Sequence, residues 1–235
     1  MSGGVLIVLQ ARMGSRRLPG KSLMTIAGQS LLAQCVRRLE RSSAGPVMVA
    51  TSTHVEDDVL AAEAASLGAL VYRGHAEDVL DRVNRAAALR DPAFVVRATA
   101  DNPAVDSDSV TRLLAVMRDG AFDHAVEQAL PCGATVEVMT RRALQVAAAR
   151  ATAPDDREHV TPFIRTAGNG FRCAIVPAPA ALSRPDLRFT VDTWTDLEYM
   201  RAIFRHAGDS EKRQATLEQL IAAADRAVRA DGEVA

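Results

Sequence analysis

The stretch VLIVLQARMGSRRLPGKS, Val5 to Ser22, decides how the chain reads. Val5, Leu6, Ile7, Val8 and Leu9 are apolar without a break, which predicts a central strand covered on both faces, as in a parallel sheet. The strand empties into a loop that holds Gly14 and Gly20 and four cations, Arg12, Arg16, Arg17 and Lys21, with no acid among them. No Asp or Glu precedes Glu40, although the whole chain carries a net charge of only −1. Cations gathered at the end of a buried strand point to a polyanion, most simply a nucleoside triphosphate. Lys21 and Lys212 are the only lysines among 28 basic residues, so an ammonium in this loop suggests a need for a compact charge.

Two familiar phosphate-binding patterns do not fit. Five residues separate Gly14 from Gly20, where the Walker loop has four. Pro19 also removes a backbone N–H from a loop whose task would be to offer them. A GxGxxG fingerprint is absent as well, which argues against a dinucleotide dehydrogenase. A strand followed by a long basic loop remains, suited to triphosphate by charge and backbone donors together.

At 235 residues, with 48% hydrophobic and 24% charged residues, the chain has the size and composition of one large soluble domain. A single domain is expected over residues 1–235. No apolar run reaches the ~18 residues of a membrane span, and no signal-peptide pattern opens the chain. Cys35, Cys132 and Cys173 form no CxxC pair, so they are expected to be small buried apolar residues in a reducing cytoplasm. Near-neutral charge argues against a nucleic-acid partner.

Along the chain, Ser30 is placed to cap a helix whose apolar positions are Leu31, Leu32, Cys35, Val36 and Leu39. Val47–Ala50 predicts a second strand, a helix around Glu56–Leu67 is stopped by Gly68, and Ala69–Tyr72 predicts a third strand. A helix around Glu77–Leu89 ends at Asp91-Pro92, and Phe94–Arg97 predicts a fourth strand that closes on Thr99-Ala100-Asp101-Asn102-Pro103. Val110, Leu113, Leu114 and Met117 mark the next helix. Strands alternating with helices mean a mostly parallel α/β sheet, in which ligands bind at the carboxyl ends of the strands. Further on, strands are predicted at Asp123–Val126, Ala134–Met139, Arg172–Val176 and Leu187–Val191, and a helix at Arg141–Arg150. Asp155–Arg165 predicts a helix broken by Pro162, Thr193 with Asp196 a capping box, and Thr216 the start of a last helix.

Leu9 to Lys21 resembles the signature of the sugar cytidylyltransferases, and most closely the SpsF-like (spore coat polysaccharide biosynthesis protein F) family, related to CMP-Kdo and CMP-acylneuraminate synthetases. The likeness continues in order through Ala50–Thr53 with Glu56-Asp57-Asp58, Tyr72-Arg73-Gly74 with Asp78-Val79-Leu80, Asp101-Asn102-Pro103, Val136-Glu137-Val138, Arg157 to Pro162, and Thr190 to Thr193. It implies a GT-A-like nucleotidyltransferase fold that moves CMP from CTP to an acidic or modified sugar with Mg²⁺ as cofactor. It also implies a nucleotide-binding half in residues 1–120, an acceptor-binding half that would also serve dimerisation in residues 121–235, and homodimers.

By this resemblance Arg12 and Lys21 neutralise the β- and γ-phosphates, while Asp101 and Asp192 hold Mg²⁺, for which one or two carboxylates plus phosphate oxygens are enough. On the residues alone, an Asp before Asn102-Pro103 is more often just a turn former. Gly14 and Ser15 belong to the nucleotide site, the backbone of Leu9, Gln10 and Ala11 with the Thr99 side chain would read cytosine, and Thr51 would approach base or ribose. Asp57 and Asp58 suit either the nucleotide or the helix dipole. Glu137 and His159 would line the acceptor pocket, with Arg157 or Arg165 pairing a substrate carboxylate. Four positions depart from the family pattern: Arg16 for a small hydroxyl residue, Ala100 for Gly, Asn102 for Cys, and Thr135 for Asp. Two other functions share the sequence features. A nucleotide-sugar-dependent glycosyltransferase would want an Asp-x-Asp motif that the fourth strand lacks, and a non-catalytic nucleotide-binding protein would tolerate Ala100 and Thr135.

Overall fold

The structure, a computed structural model, describes residues 4–232. Residues 1–3 and 233–235, which the expected halves include, lie outside it. The first strand, β1 (Val5–Gln10), lies inside a sheet and is buried along nearly its whole length. Ile7 and Leu9 face one apolar layer and Leu6 and Val8 the other, because strand side chains alternate. On the Ile7 side pack α1 (Leu31–Arg41), α2 (Asp58–Ser66) and α4 (Ser107–Asp119). On the Leu6 side pack α3 (Val79–Ala88), α5 (Arg141–Arg150) and two short helices, α6 (Pro154–His159) and α7 (Pro162–Arg165).

Besides β1 the sheet contains β4 (Val47–Ser52), β5 (Leu70–Gly74), β6 (Phe94–Thr99), β7 (His124–Gln128), β8 (Glu137–Thr140) and β9 (Cys173–Pro177). Their order is β5-β4-β1-β6-β8-β7-β9. Only β8 runs antiparallel to its neighbours β6 and β7. A small antiparallel hairpin, β2 (Thr25–Ile26) with β3 (Gln29–Ser30), stands apart from the sheet. From β1 the chain winds outward through β4 and β5, then returns to place β6 on the other side of β1. That reversal opens a crevice at the carboxyl ends of β1 and β6, where α/β sheets bind ligands.

Local chemistry explains the boundaries. The Ser30 hydroxyl accepts from the Ala33 N–H at 3.0 Å to start α1, and Gly68, at φ +83°, ends the turn after α2. Ala27 and Gly28 both take positive φ, the two-residue turn that closes the β2–β3 hairpin. Two residues per strand left this hairpin without a periodic signal in the sequence.

The segment Leu187–Val191 is not a strand. Leu187, Phe189 and Val191 do point inward alternately, but the backbone pairs with loops. Phe189 N–H donates to the Cys132 carbonyl at 2.7 Å and Val191 N–H to the Asp101 carbonyl at 2.8 Å. Neither partner belongs to a strand, so no ladder propagates. The cysteines also differ from expectation: Cys35 is buried, and burial pushes its thiol pKa up, whereas Cys132 and Cys173 are exposed, one in that loop and one on the sheet-edge strand β9.

A second core lies beyond the sheet, where α8 (Trp194–His206) and α9 (Leu217–Gly232) pack on Leu18, Ile26, Leu31 and Phe189. The expected capping box starts α8: Thr193 accepts from the Asp196 N–H, and the Asp196 carboxylate accepts from the Thr193 N–H. Arg38 of α1 joins this core to the main one. It donates to the buried Asp209 at 2.8 Å and to the Ala215 carbonyl at 2.8 Å, and its guanidinium lies over the Phe204 ring. Removing one partner strands the other charge in the interior. Asp209→Ala is therefore expected to cost about 3–5 kcal/mol of folding stability, read as a lowered urea midpoint.

Candidate active site

The crevice is a cleft of about 430 Å³. Six cationic side chains line it, Arg12, Arg16, Arg17, Lys21, Arg82 and Arg97, against the carboxylates Asp101, Glu158 and Asp192. A concave site with that excess of positive charge suits a polyphosphate.

Lys21 is the best-held of these cations. Gly20, at φ +73°, turns the chain into the short helical turn Lys21–Leu23, and the Lys21 side chain runs inward. Its ammonium donates to Asp101 Oδ2 at 3.1 Å, Asp192 Oδ1 at 3.0 Å and the Val191 carbonyl at 2.7 Å. Three donors thus meet three acceptors. Asp192 also receives Arg17 at 2.9 Å and Arg188 at 2.6 Å. Partial burial pushes the Asp192 carboxyl pKa up, but Lys21, Arg17 and Arg188 outweigh it and hold the group below its ordinary value. The other oxygen of Asp101 accepts from the Thr99 hydroxyl at 2.6 Å, which itself accepts from the Asn102 amide at 2.8 Å. Thr190 donates to Asn102 Oδ1 at 2.6 Å and completes the frame of the turn. Asn102 therefore holds Thr99, and through it braces Asp101.

Among the described residues no group of three or more His, Cys, Asp or Glu side chains forms a metal site of its own. Asp101 and Asp192 form a pair of hard oxygen donors that line the cleft and share the Lys21 ammonium. This donor set fits Mg²⁺ that takes its remaining ligands from phosphate and water.

The basic loop is pinned by a residue in the short helical turn Val55–Asp57 that follows β4. Buried Asp57 accepts from the Met13 N–H at 2.7 Å and from Ser52 through both its N–H and its hydroxyl. Asp58 pairs instead with Arg73. Arg12 meets Glu77 at 3.8 Å and Glu158 at 3.7 Å, separations at which partly exposed pairs contribute little, so its guanidinium is free to turn to an anion.

A second cleft, also of about 430 Å³, opens beside the first and is bordered by Thr135, Glu137, His159, Thr161 and Arg165. Glu137 sits at its base, almost fully buried. It accepts from Arg97 at 2.7 Å and from the Thr161 hydroxyl at 2.9 Å, and lies 3.2 Å from His124 Nε2. Burial alone would raise the Glu137 pKa, but His124, Arg97 and Thr161 together lower it to about 2.

The structure brings Gln10, Ala11, Arg12, Ser15, Lys21, Thr99, Asp101 and Asp192 to the first cleft, and His159 to both. It leaves four expected residues outside them. Leu9 and Thr51 are fully buried on the sheet face that turns away from Gln10 and Arg97, and the Leu9 backbone is engaged in the sheet between β4 and β6. Gly14 lies in the exposed loop next to Glu56. Arg157 is turned from both clefts, donating to Asp78 and to the Ala148 carbonyl at 2.7 Å, and so anchors α6 to the start of α3. Arg165 is the arginine of that pair that borders the second cleft.

Arg82, Arg97 and Glu158 were not singled out from the sequence. A charged residue two places before the end of an apolar strand, as in Phe94-Val95-Val96-Arg97, is a signal that would have found Arg97. Arg82 lies on a helix whose spacing alone gives no such hint. Its pKa is lowered by burial and by Arg12, and it donates to the His75 and Ala76 carbonyls.

The family model for cytidylyltransferases matches residues 6–225. The chain belongs to that family. It is 33% identical over 211 residues to the spore coat polysaccharide biosynthesis protein SpsF of Bacillus subtilis (strain 168), covering 87% of this chain and 88% of the relative. Against the 3-deoxy-manno-octulosonate cytidylyltransferase of Bradyrhizobium sp. (strain ORS 278) the identity is 38% over 126 residues, about half of each chain. Among solved structures, a cytidylyltransferase from Leptospira borgpetersenii superposes with a TM-score of 0.87 at 26% identity, covering 97% of this chain and 96% of that one. A CMP:2-keto-3-deoxy-manno-octonic acid synthetase solved with CTP superposes at 0.67, with 21% identity over 86% of this chain and 98% of that one, a likeness of fold. For this cytidylyltransferase the fold expected from the sequence, a mostly parallel GT-A-like sheet flanked by helices, is the one observed.

The depressed Glu137 pKa carries a pH dependence. Ionised Glu137 stabilises the fold by roughly 3 kcal/mol, present above the ordinary carboxylate value and lost as the pH falls through the folded one. That window runs from pH 4.5 down to about 2. Glu137→Gln should flatten this part of the acid-unfolding curve while leaving its shape above pH 5 unchanged, as read by circular dichroism.

Proposed function

We propose that this cytidylyltransferase transfers CMP from CTP to a hydroxyl of an acidic sugar and releases pyrophosphate. The observation that carries the proposal is the convergence of six cations with the paired carboxylates Asp101 and Asp192 on one cleft at the reversal point of the sheet. A triphosphate needs charge neutralisation and in-line positioning more than covalent chemistry from the protein.

In this reading Arg12, Arg16 and Arg17 meet the β- and γ-phosphates as they become the leaving group. The Lys21 ammonium keeps Asp101 and Asp192 side by side, where two bare carboxylates would repel, and these two residues would hold Mg²⁺. When bound, Mg²⁺ neutralises phosphate charge and polarises the α-phosphate. Cytosine lies toward Gln10, Ala11 and Arg82. The Thr99 hydroxyl is already shared between Asp101 and Asn102, so it serves the site by fixing Asp101. The acceptor occupies the second cleft, with Arg165 rather than Arg157 facing its carboxylate and His159 at its rim. Acceptor recognition thus rests on residues of the expected second half, although Asp192 and Glu158 of that half also line the nucleotide cleft.

Pyrophosphate release with CTP, Mg²⁺ and a panel of acidic sugars tests the assignment. Asp101→Asn should reduce turnover by about a hundredfold or more. Full activity in that variant sinks the metal assignment, and CTP binding without turnover on any sugar favours a binding role.

A further inference from the structure

The two clefts share only three lining residues, Arg97, Thr99 and His159. Transfer from a nucleotide in one cleft to an acceptor in the other puts the reacting phosphorus at this common wall. The Thr99 hydroxyl is committed to Asp101 and Asn102. His159 is more than half exposed on α6 and lies 3.6 Å from Asp155. Arg97 is the permanent cation of the three, and it is held rigidly.

Its position follows from the strand pattern. On this face of the sheet the apolar rows Leu6–Val8 and Val95 give way to Gln10, Arg97 and Glu137, and Arg97 lies directly opposite Glu137 in the β6–β8 register. Arg97 Nε donates to Gln10 Oε1 at 3.0 Å and Nη1 donates to Glu137 Oε2 at 2.7 Å. Nη2 has no protein partner among the described residues, and the side chain stays only slightly exposed. The guanidinium is therefore fixed at two corners and open at the third, toward the shared wall. Such a donor needs no reorganisation as charge builds on phosphoryl oxygens.

We propose, resting on the CMP-transfer reading, that Arg97 is a catalytic residue whose free amino group binds the α-phosphate oxygens where the two clefts meet. The acceptor hydroxyl oxygen forms a bond to the α-phosphorus as the bond to the oxygen bridging to the β-phosphate breaks. Pyrophosphate leaves with that electron pair, and the hydroxyl proton passes to water. Arg97 stabilises the charge on the α-phosphate oxygens during this exchange. Gln10 and Glu137 act as positioning residues.

The test uses the full chain carrying Arg97→Gln, Arg97→Lys and the double change Arg97→Gln with Glu137→Gln, the last of which leaves no unpaired buried carboxylate. Pyrophosphate release at saturating CTP on the acidic-sugar panel gives kcat, calorimetry gives CTP affinity, and thermal melting reports the fold. Expected is a kcat loss of about 10²- to 10³-fold in Arg97→Gln, persisting in the double variant, with CTP affinity changed less than about threefold. Arg97→Lys should recover only part of the rate, because a single ammonium nitrogen lacks the spaced, planar donors with which the guanidinium spans Gln10, Glu137 and the phosphate. Recovery of kcat in the double variant would overturn the proposal and leave Arg97 a purely structural ion-pair partner. So would a loss of rate matched by an equal loss of CTP affinity. If the unaltered protein binds CTP but transfers to no sugar, the CMP-transfer reading itself fails, and the role of Arg97 fails with it.

Discussion

One ammonium group ties the site together. Lys21 reaches across 80 residues of sequence to Asp101 and across 171 to Asp192, and joins the β1 loop, the end of β6 and the segment entering α8. Each carboxylate faces the same cation, and each segment keeps its course because the shared cation leaves no slack. The second core assembles around the same segments. Leu18 precedes Lys21 in the loop and Val191 precedes Asp192, and both side chains are buried with α8 and α9. Phosphate recognition and the docking of the C-terminal helices therefore depend on one another, although they belong to opposite ends of the chain.

Around this centre the sheet face changes character over a single residue step. Val8 and Val95 are core, while Gln10 and Arg97, the next residues on the same face, are polar. Here a hydrogen-bonded chain runs from Gln10 through Arg97 to Glu137, then on to Thr161 and His124. This chain separates the apolar interior from the two clefts and fixes the wall they share. A departure such as Thr135 changes the border of the second cleft without touching the chain itself.

The short helices α6 and α7 close the second cleft through a strained connection. Val160 has φ +73° and ψ −52°, and the Thr161 N–H donates to the His159 carbonyl at 2.9 Å, a γ-turn that costs a β-branched residue about 1–3 kcal/mol. The turn is compensated on both sides. Val160 is fully buried in the core, Arg157 ties α6 to Asp78, and the Thr161 hydroxyl bonds to Glu137. The geometry directs Glu158 and His159 toward the clefts while Thr161 turns to the interior.

The fold class was readable because β1 is apolar from Val5 to Leu9 and the strands that follow alternate with helices, signals that local periodicity carries. The Ser30 cap, the Thr193–Asp196 capping box and the Gly68 stop were readable for the same reason, since each depends on residues within one turn. The β2–β3 hairpin was too short for any period, and Leu187–Val191 has a strand's alternation but no strand to pair with. The sequence by itself determined the sheet, the basic loop and the two carboxylates as candidates. Only the tertiary structure decided that Lys21 lies between Asp101 and Asp192, that Thr51 and Arg157 turn away from the clefts, and that Arg97 stands between them. Those outcomes depend on which face of a strand or helix meets which distant segment, and no local pattern encodes a contact made across 80 or 171 residues.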